Sequence, residues 1–151
     1  MIADASDDFS FLPGGGGLFA TGRIMLLEAP VSASWGIHKH FSMLESGAFG
    51  IRYDPSQEYW IISLNRQKTR CTMLHVDPTG YSLTRRILFQ AGFRAALSGE
   101  GARNLTRGQL RRLFADGTVD GPYSNPYIAS AAARAQADGA ARHSPAARFP
   151  R

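Results

Sequence analysis

The sequence predicts an α+β domain in which a three-stranded antiparallel meander, over about residues 48–76, packs against helices over about 82–98 and 106–116, with flexible termini. Three observations predict it. Apolar residues alternate with period two and then recur in short β-rich runs between turn sequences. The loops between those runs are too short for anything but antiparallel neighbours. A helical apolar pattern comes next, and then a capping box.

The chain divides into a Gly-rich leader (1–17), one α+β domain (18–121) and an Ala/Arg-rich, partly disordered tail (122–151). Gly14–Gly17 carry a large ordering entropy and no side chain to offset it, so the leader is expected to be flexible. A phosphate-cradling loop would need Lys-Ser/Thr after the glycines; Leu18-Phe19 stands there instead. Residues 22–29 form an apolar run that length and composition leave open between helix and strand, ended by Pro30. Residues 35–46 favour a short helix.

Phe49, Ile51 and Tyr53 alternate with Gly50, Arg52 and Asp54 and read as the first strand. Asp54-Pro55-Ser56-Gln57 supplies turn chemistry. Tyr59–Leu64, dense in aromatic and β-branched residues, is the best strand of the chain. A polar loop from Asn65 to Thr69 leads to a third strand, Cys71–Val76, which ends at the type I turn Asp77-Pro78-Thr79-Gly80. Ser82 then caps a helix over Leu83–Leu97 that Gly99 stops, with apolar residues covering more than half its circumference. Thr106-Arg107-Gly108-Gln109 fits a capping box, Leu105 and Leu110 a hydrophobic staple, and Asp116-Gly117 a helix end. Ile128–Ala137 is alanine-rich and could form an exposed helix, and residues 139–151 read as a disordered basic tail.

No run of apolar residues reaches the ~18 needed to span a bilayer, so no membrane partner is expected. Asp4, Asp7 and Asp8 take the place of a basic signal-peptide region, and the single Cys71 cannot form an internal disulfide. A cytoplasmic location is the resulting expectation. Net charge is +5, and its distribution is uneven: Ile61–Arg112 holds ten basic residues against two acidic ones, Asp77 and Glu100. Such asymmetry points to a polyanionic or acidic partner. Arginine makes up 15 of the 17 basic residues, which a GC-rich coding bias would also produce.

Catalytic constellations are weak. His38 and His40 would share a face only if strand-borne, whereas a helix is favoured there; His75 and Asp77 form a second such pair, but no diagnostic ligand spacing accompanies either and no metal or other cofactor is assigned. Cys71 and His75 on one strand stand about 13 Å apart, beyond hydrogen-bond reach. Glu45, Asp54 and Glu58 cluster near the first turn, where carboxylates are usually solvated. No catalytic set emerges, and the reading leans away from an enzyme.

The cationic residues carry the functional expectation. Arg66, Lys68 and Arg70 crowd one hairpin tip, with Arg52 on the neighbouring strand. Arg86 and Arg94 fall in one row of the expected long helix beside Arg85, and Arg107 and Arg111 form a row on the short one. These nine residues could grip phosphates while Tyr53, Tyr59 or Trp60 stacks on unpaired bases. The expected order of helix, three strands and helix over 35–97 resembles that of double-stranded-RNA-binding domains, with Arg85-Arg86 near the start of the last helix, where that family has basic residues. The meander with one helix after it is also similar to sheet-reading DNA-binding modules. The expected function is a non-enzymatic accessory protein that binds nucleic acid, DNA or RNA. The alternative is an adaptor or inhibitor docking on an acidic protein surface, with arginines as its hot spots. A small mobile-element or viral factor would fit both.

Overall fold

The computed structural model describes residues 22–89 and 92–143. The expected leader, 1–17, and the tail beyond His143 lie outside these residues. The elements, in chain order, are β1 (Arg23–Leu27), α1 (Ile37–Glu45), β2 (Tyr59–Leu64), β3 (Cys71–Asp77), β4 (Gly80–Arg86), β5 (Ala102–Asn104), α2 (Arg107–Asp116) and α3 (Pro126–His143). The class is α+β, but the sheet is mixed, with order β4-β3-β2-β1-β5. β1 and β2 pair in parallel, and every other neighbour is antiparallel. A parallel pair needs a crossover connection, and residues 28–58, which contain α1, supply it.

The meander exists, but it is β2-β3-β4 and lies further along the chain than the alternation predicts. Residues 49–53 form no strand. Phe49 and Ile51 are buried while Gly50 and Arg52 are exposed, so the period of two reports burial of alternate side chains without pairing. Gly50 takes a positive φ of 76°, which interrupts any ladder. The place beside β2 belongs to β1, the run 22–29 that the sequence left open. Its buried Ile24–Leu27 carry side chains to both faces of the sheet.

The larger correction concerns the expected helix over 82–98: among its described residues, 82–89 and 92–98, none is helical. The turn at Asp77–Gly80 folds the chain back so that Gly80–Arg86 pairs with all of β3, Leu83 opposite Leu74 and Arg86 opposite Cys71. Leu, Arg and Ala favour a helix only weakly, whereas this pairing satisfies the outward backbone groups of β3. The described part of 87–98 is irregular. With that helix absent, the likeness to RNA-binding domains in element order ends.

Each face of the sheet carries its own core. On one, Ile24, Leu26, Trp60, Ile62, Leu64, Cys71 and Met73 meet Leu110, Leu113 and Phe114 of α2 together with Phe93 and Ala95. On the other, Met25, Leu27, Tyr59, Ile61, Leu74 and Val76 meet Leu44 of α1 and the Phe49/Ile51 segment. α2 has the expected start: the Thr106 hydroxyl accepts from the Gln109 amide, the Gln109 side chain accepts from the Thr106 amide, and Gly117 ends the helix at φ 80°. Asp116 anchors the segment between α2 and α3. Its carboxylate accepts from the Ser124 and Asn125 amides and the Thr118 hydroxyl. Asn125 in turn caps α3 through Tyr127 N–H, with Pro126 in the first helical position. α3 is therefore longer than the alanine-rich stretch alone indicates.

Candidate nucleic-acid interface

Strand register gives the sheet two chemically different ends. Leu64, Cys71 and Arg86 mark one, the hairpin end, where the β2–β3 connection lies; Tyr59, Asp77 and Gly80 mark the other. Arg66, Lys68 and Arg70 lie on that connection, and Arg85 and Arg86 at the end of β4 beside it. Arg94 is tied in through its neighbour, since Phe93 N–H donates to Lys68 O at 2.8 Å. Six of the nine expected residues thus gather at one end. Arg52 does not join them: with Arg23 and Asp54 it lines an open depression at the opposite end, beside Tyr59. α2 starts just after Leu105, whose amide bonds Ile24 O, so Arg107 also lies away from the hairpin end, with Arg111 a turn further on.

The connection is rigid because Asn65 organises it. The Asn65 carboxamide oxygen accepts from the Thr69 and Arg70 amides at 2.8 and 2.9 Å, an Asx-type closure, and Lys68 sits in the left-handed region at φ 56°. Lys68 Nζ donates to Ala95 O at 2.8 Å, so Lys68 holds the irregular segment with both its backbone and its side chain. Gly92 is required here: a Cβ would stand 2.7 Å from Lys68 O, at φ +66°. Arg94 N–H continues the stitch to Gly117 O at 2.6 Å, joining segment, connection and α2 terminus.

Alternation splits the Arg85-Arg86 pair. Arg85 turns to the α1 face and donates to Trp35 O; Arg86 turns to the α2 face and its Nε donates to Phe114 O at 2.7 Å. A guanidinium has five N–H donors, so both keep capacity for a ligand, and both remain exposed. Arg66, Arg70 and Arg94 are exposed as well. Arg66 and Arg70 border a groove of about 460 Å³ against residues 30–34, whose floor is set by Val31 N–H bonding Leu64 O. Ser32 and Ser34 offer hydroxyls in the same groove.

The stacking aromatics expected from the sequence are elsewhere engaged. Tyr59 and Trp60 are core residues, 1% and 2% exposed, and Tyr53 packs against Phe41 and Tyr59. Phe89, three residues beyond Arg86, is instead fully exposed, with Ile87 at 62% beside it. Sequence reading missed it by placing it inside a helix. The one available signal was that this helix was apolar round more than half its circumference, more than one covered face can bury.

Among the described residues neither the Cys71 thiol nor the His38/His40 pair meets a catalytic partner. Cys71 is buried and its thiol is pushed far up by desolvation, despite the nearby Arg86 charge. His38 Nδ1 pairs with Tyr81 Oη at 2.9 Å, and His40 Nδ1 with Gly36 O at 3.0 Å, where burial keeps His40 below its ordinary range. Neither meets His75, which turns to the opposite face of the sheet against Trp60. Among the described residues no helix is long and apolar enough to cross a membrane. No family model matches the chain, and no match is found among curated proteins or solved structures.

Proposed function

We propose that the hairpin end binds single-stranded nucleic acid, with Arg66, Arg70, Arg86 and Arg94 on phosphates and Phe89 as a platform for a base. The observation that carries this reading is a fully exposed phenylalanine bordering one depression with the exposed Arg86, at the sheet end where Arg66, Arg70 and Arg94 also lie. A base can stack on an exposed aromatic ring without regard to sequence. The rigid connection holds its cations in place before binding, which lowers the ordering cost of the complex. Binding by this surface needs no catalysis and no cofactor.

Fluorescence anisotropy with a labelled single-stranded oligonucleotide tests it. Affinity should fall by orders of magnitude between about 50 and 200 mM salt, in proportion to the phosphates contacted. Phe89→Ala should weaken binding to DNA and RNA alike, at a cost of about 1–3 kcal/mol. No binding at the lowest salt ends the reading.

A second reading, docking on an acidic protein surface, draws on Ile87 and Tyr127, exposed at 62% and 76%. Arginines around apolar side chains make protein hot spots too. In that case a pull-down recovers one stoichiometric protein partner, and oligonucleotide does not compete for it.

A further inference from the structure

At the other end of the sheet, we infer that Glu58, His75 and Asp77 form a binding site for a divalent transition-metal ion of the zinc class. Pairing of β2 with β3 brings them together. Tyr59 is opposite Val76 and Trp60 opposite His75, so the same register sets Glu58 against Asp77. Side chains of 58, 60, 75 and 77 then project from one face. One ligand atom from each of Glu58, His75 and Asp77 lies within 4.8 Å of the other two. This site is independent of the proposed nucleic-acid surface.

The donors are held as ligands usually are. Trp60 stacks on the His75 ring, centroids 3.9 Å apart and planes 26° from parallel, and His75 Nε2 points at Glu58 Oε2 across 2.7 Å. Asp77 Oδ1 accepts from the Thr79 amide, the Thr79 hydroxyl and the Gly80 amide at 2.7, 2.6 and 3.1 Å, which fixes the carboxylate plane as outer-shell partners do. Glu58 and Asp77 are 4% and 8% exposed and the His75 side chain 13%. Two carboxylates and one imidazole so shielded from water are costly to desolvate, and a divalent ion offsets that cost.

Ligands about 2.0–2.2 Å from a tetrahedral ion stand about 3.3–3.6 Å from one another. The 2.7 Å Glu58–His75 contact would open and the widest gap would close by side-chain rotation, with the strands unmoved. Imidazole among the donors favours zinc, cobalt or nickel over magnesium or calcium. Three protein ligands leave a fourth position for water.

Isothermal titration of the full chain with zinc chloride, after chelator treatment and dialysis, tests the site. One equivalent should bind, and zinc should raise the thermal midpoint until chelator is added. Asp77→Asn keeps the turn-closing oxygen and His75→Gln keeps a similar volume; each should weaken zinc at least about tenfold, measured at a temperature where the variant is folded. His38→Gln, on the opposite face, should bind as the parent does. Absence of binding at about 100-fold excess of zinc over protein, or parental zinc affinity in both Asp77→Asn and His75→Gln, overturns the assignment.

Discussion

The two ends of the sheet meet the same difficulty with opposite charges. At the hairpin end the irregular segment, the terminus of α2 and the loop before α1 present carbonyls without ladder partners, and cations take them: Lys68 on Ala95, Arg86 on Phe114, Arg85 on Trp35. At the other end the turns present free amides, and carboxylates take those: Asp77 on Thr79 and Gly80, Asp54 on Ser56. Charge on this protein therefore has two uses. Part of it completes the backbone's hydrogen bonding, and a surplus, Arg66, Arg70 and Arg94 foremost, is exposed and holds no carbonyl among the described residues. Counting arginines along the sequence cannot separate these uses.

The largest effect should come from breaking the hairpin end itself. Gly92→Val sets a Cβ against Lys68 O at positive φ and should lower stability by about 2–4 kcal/mol in urea unfolding. Gly47→Ala, at φ +81° but facing open space, should cost only about 1–2 kcal/mol. Equal losses would mean that close approach to the Lys68 carbonyl contributes nothing.

The carboxylate end should respond to acid. Asp77 titrates lower folded than unfolded, so its contribution is complete above the unfolded value of about 4 and disappears as pH falls through the folded one. In the presence of chelator, Asp77→Ala should lose about 1–3 kcal/mol at neutral pH and should narrow its deficit on acidification. A deficit constant from pH 7 to 2 would contradict this.

Lys68→Met, which keeps the apolar stem and removes the bond to Ala95, should cost about 1–2 kcal/mol by thermal or urea unfolding. The smallest stability effect is expected at the surplus cations. Arg66→Ser with Arg70→Ser should change stability by no more than about 0.5 kcal/mol per site. The same pair should lower the slope of log affinity for single-stranded oligonucleotide against log salt by about 1.4. A large loss of stability there would make Arg66 and Arg70 structural, like Lys68.

What the sequence determined is what neighbours along the chain decide. The turns at Asp54–Gln57 and Asp77–Gly80, the capping box of Thr106 and Gln109, and the β-rich runs 59–64 and 71–76 each close on themselves within a few residues, and all are found in place. The His75–Asp77 pair was legible by its period of two. Glu58, its third companion, was not, because only the β2–β3 register brings it opposite. Tertiary structure alone decided that 80–86 is a strand, that β1 slots in parallel beside β2, and that Arg85 and Arg86 part to opposite faces. In each case a weak local preference of a few tenths of a kcal/mol per residue yields to backbone pairing with a distant strand.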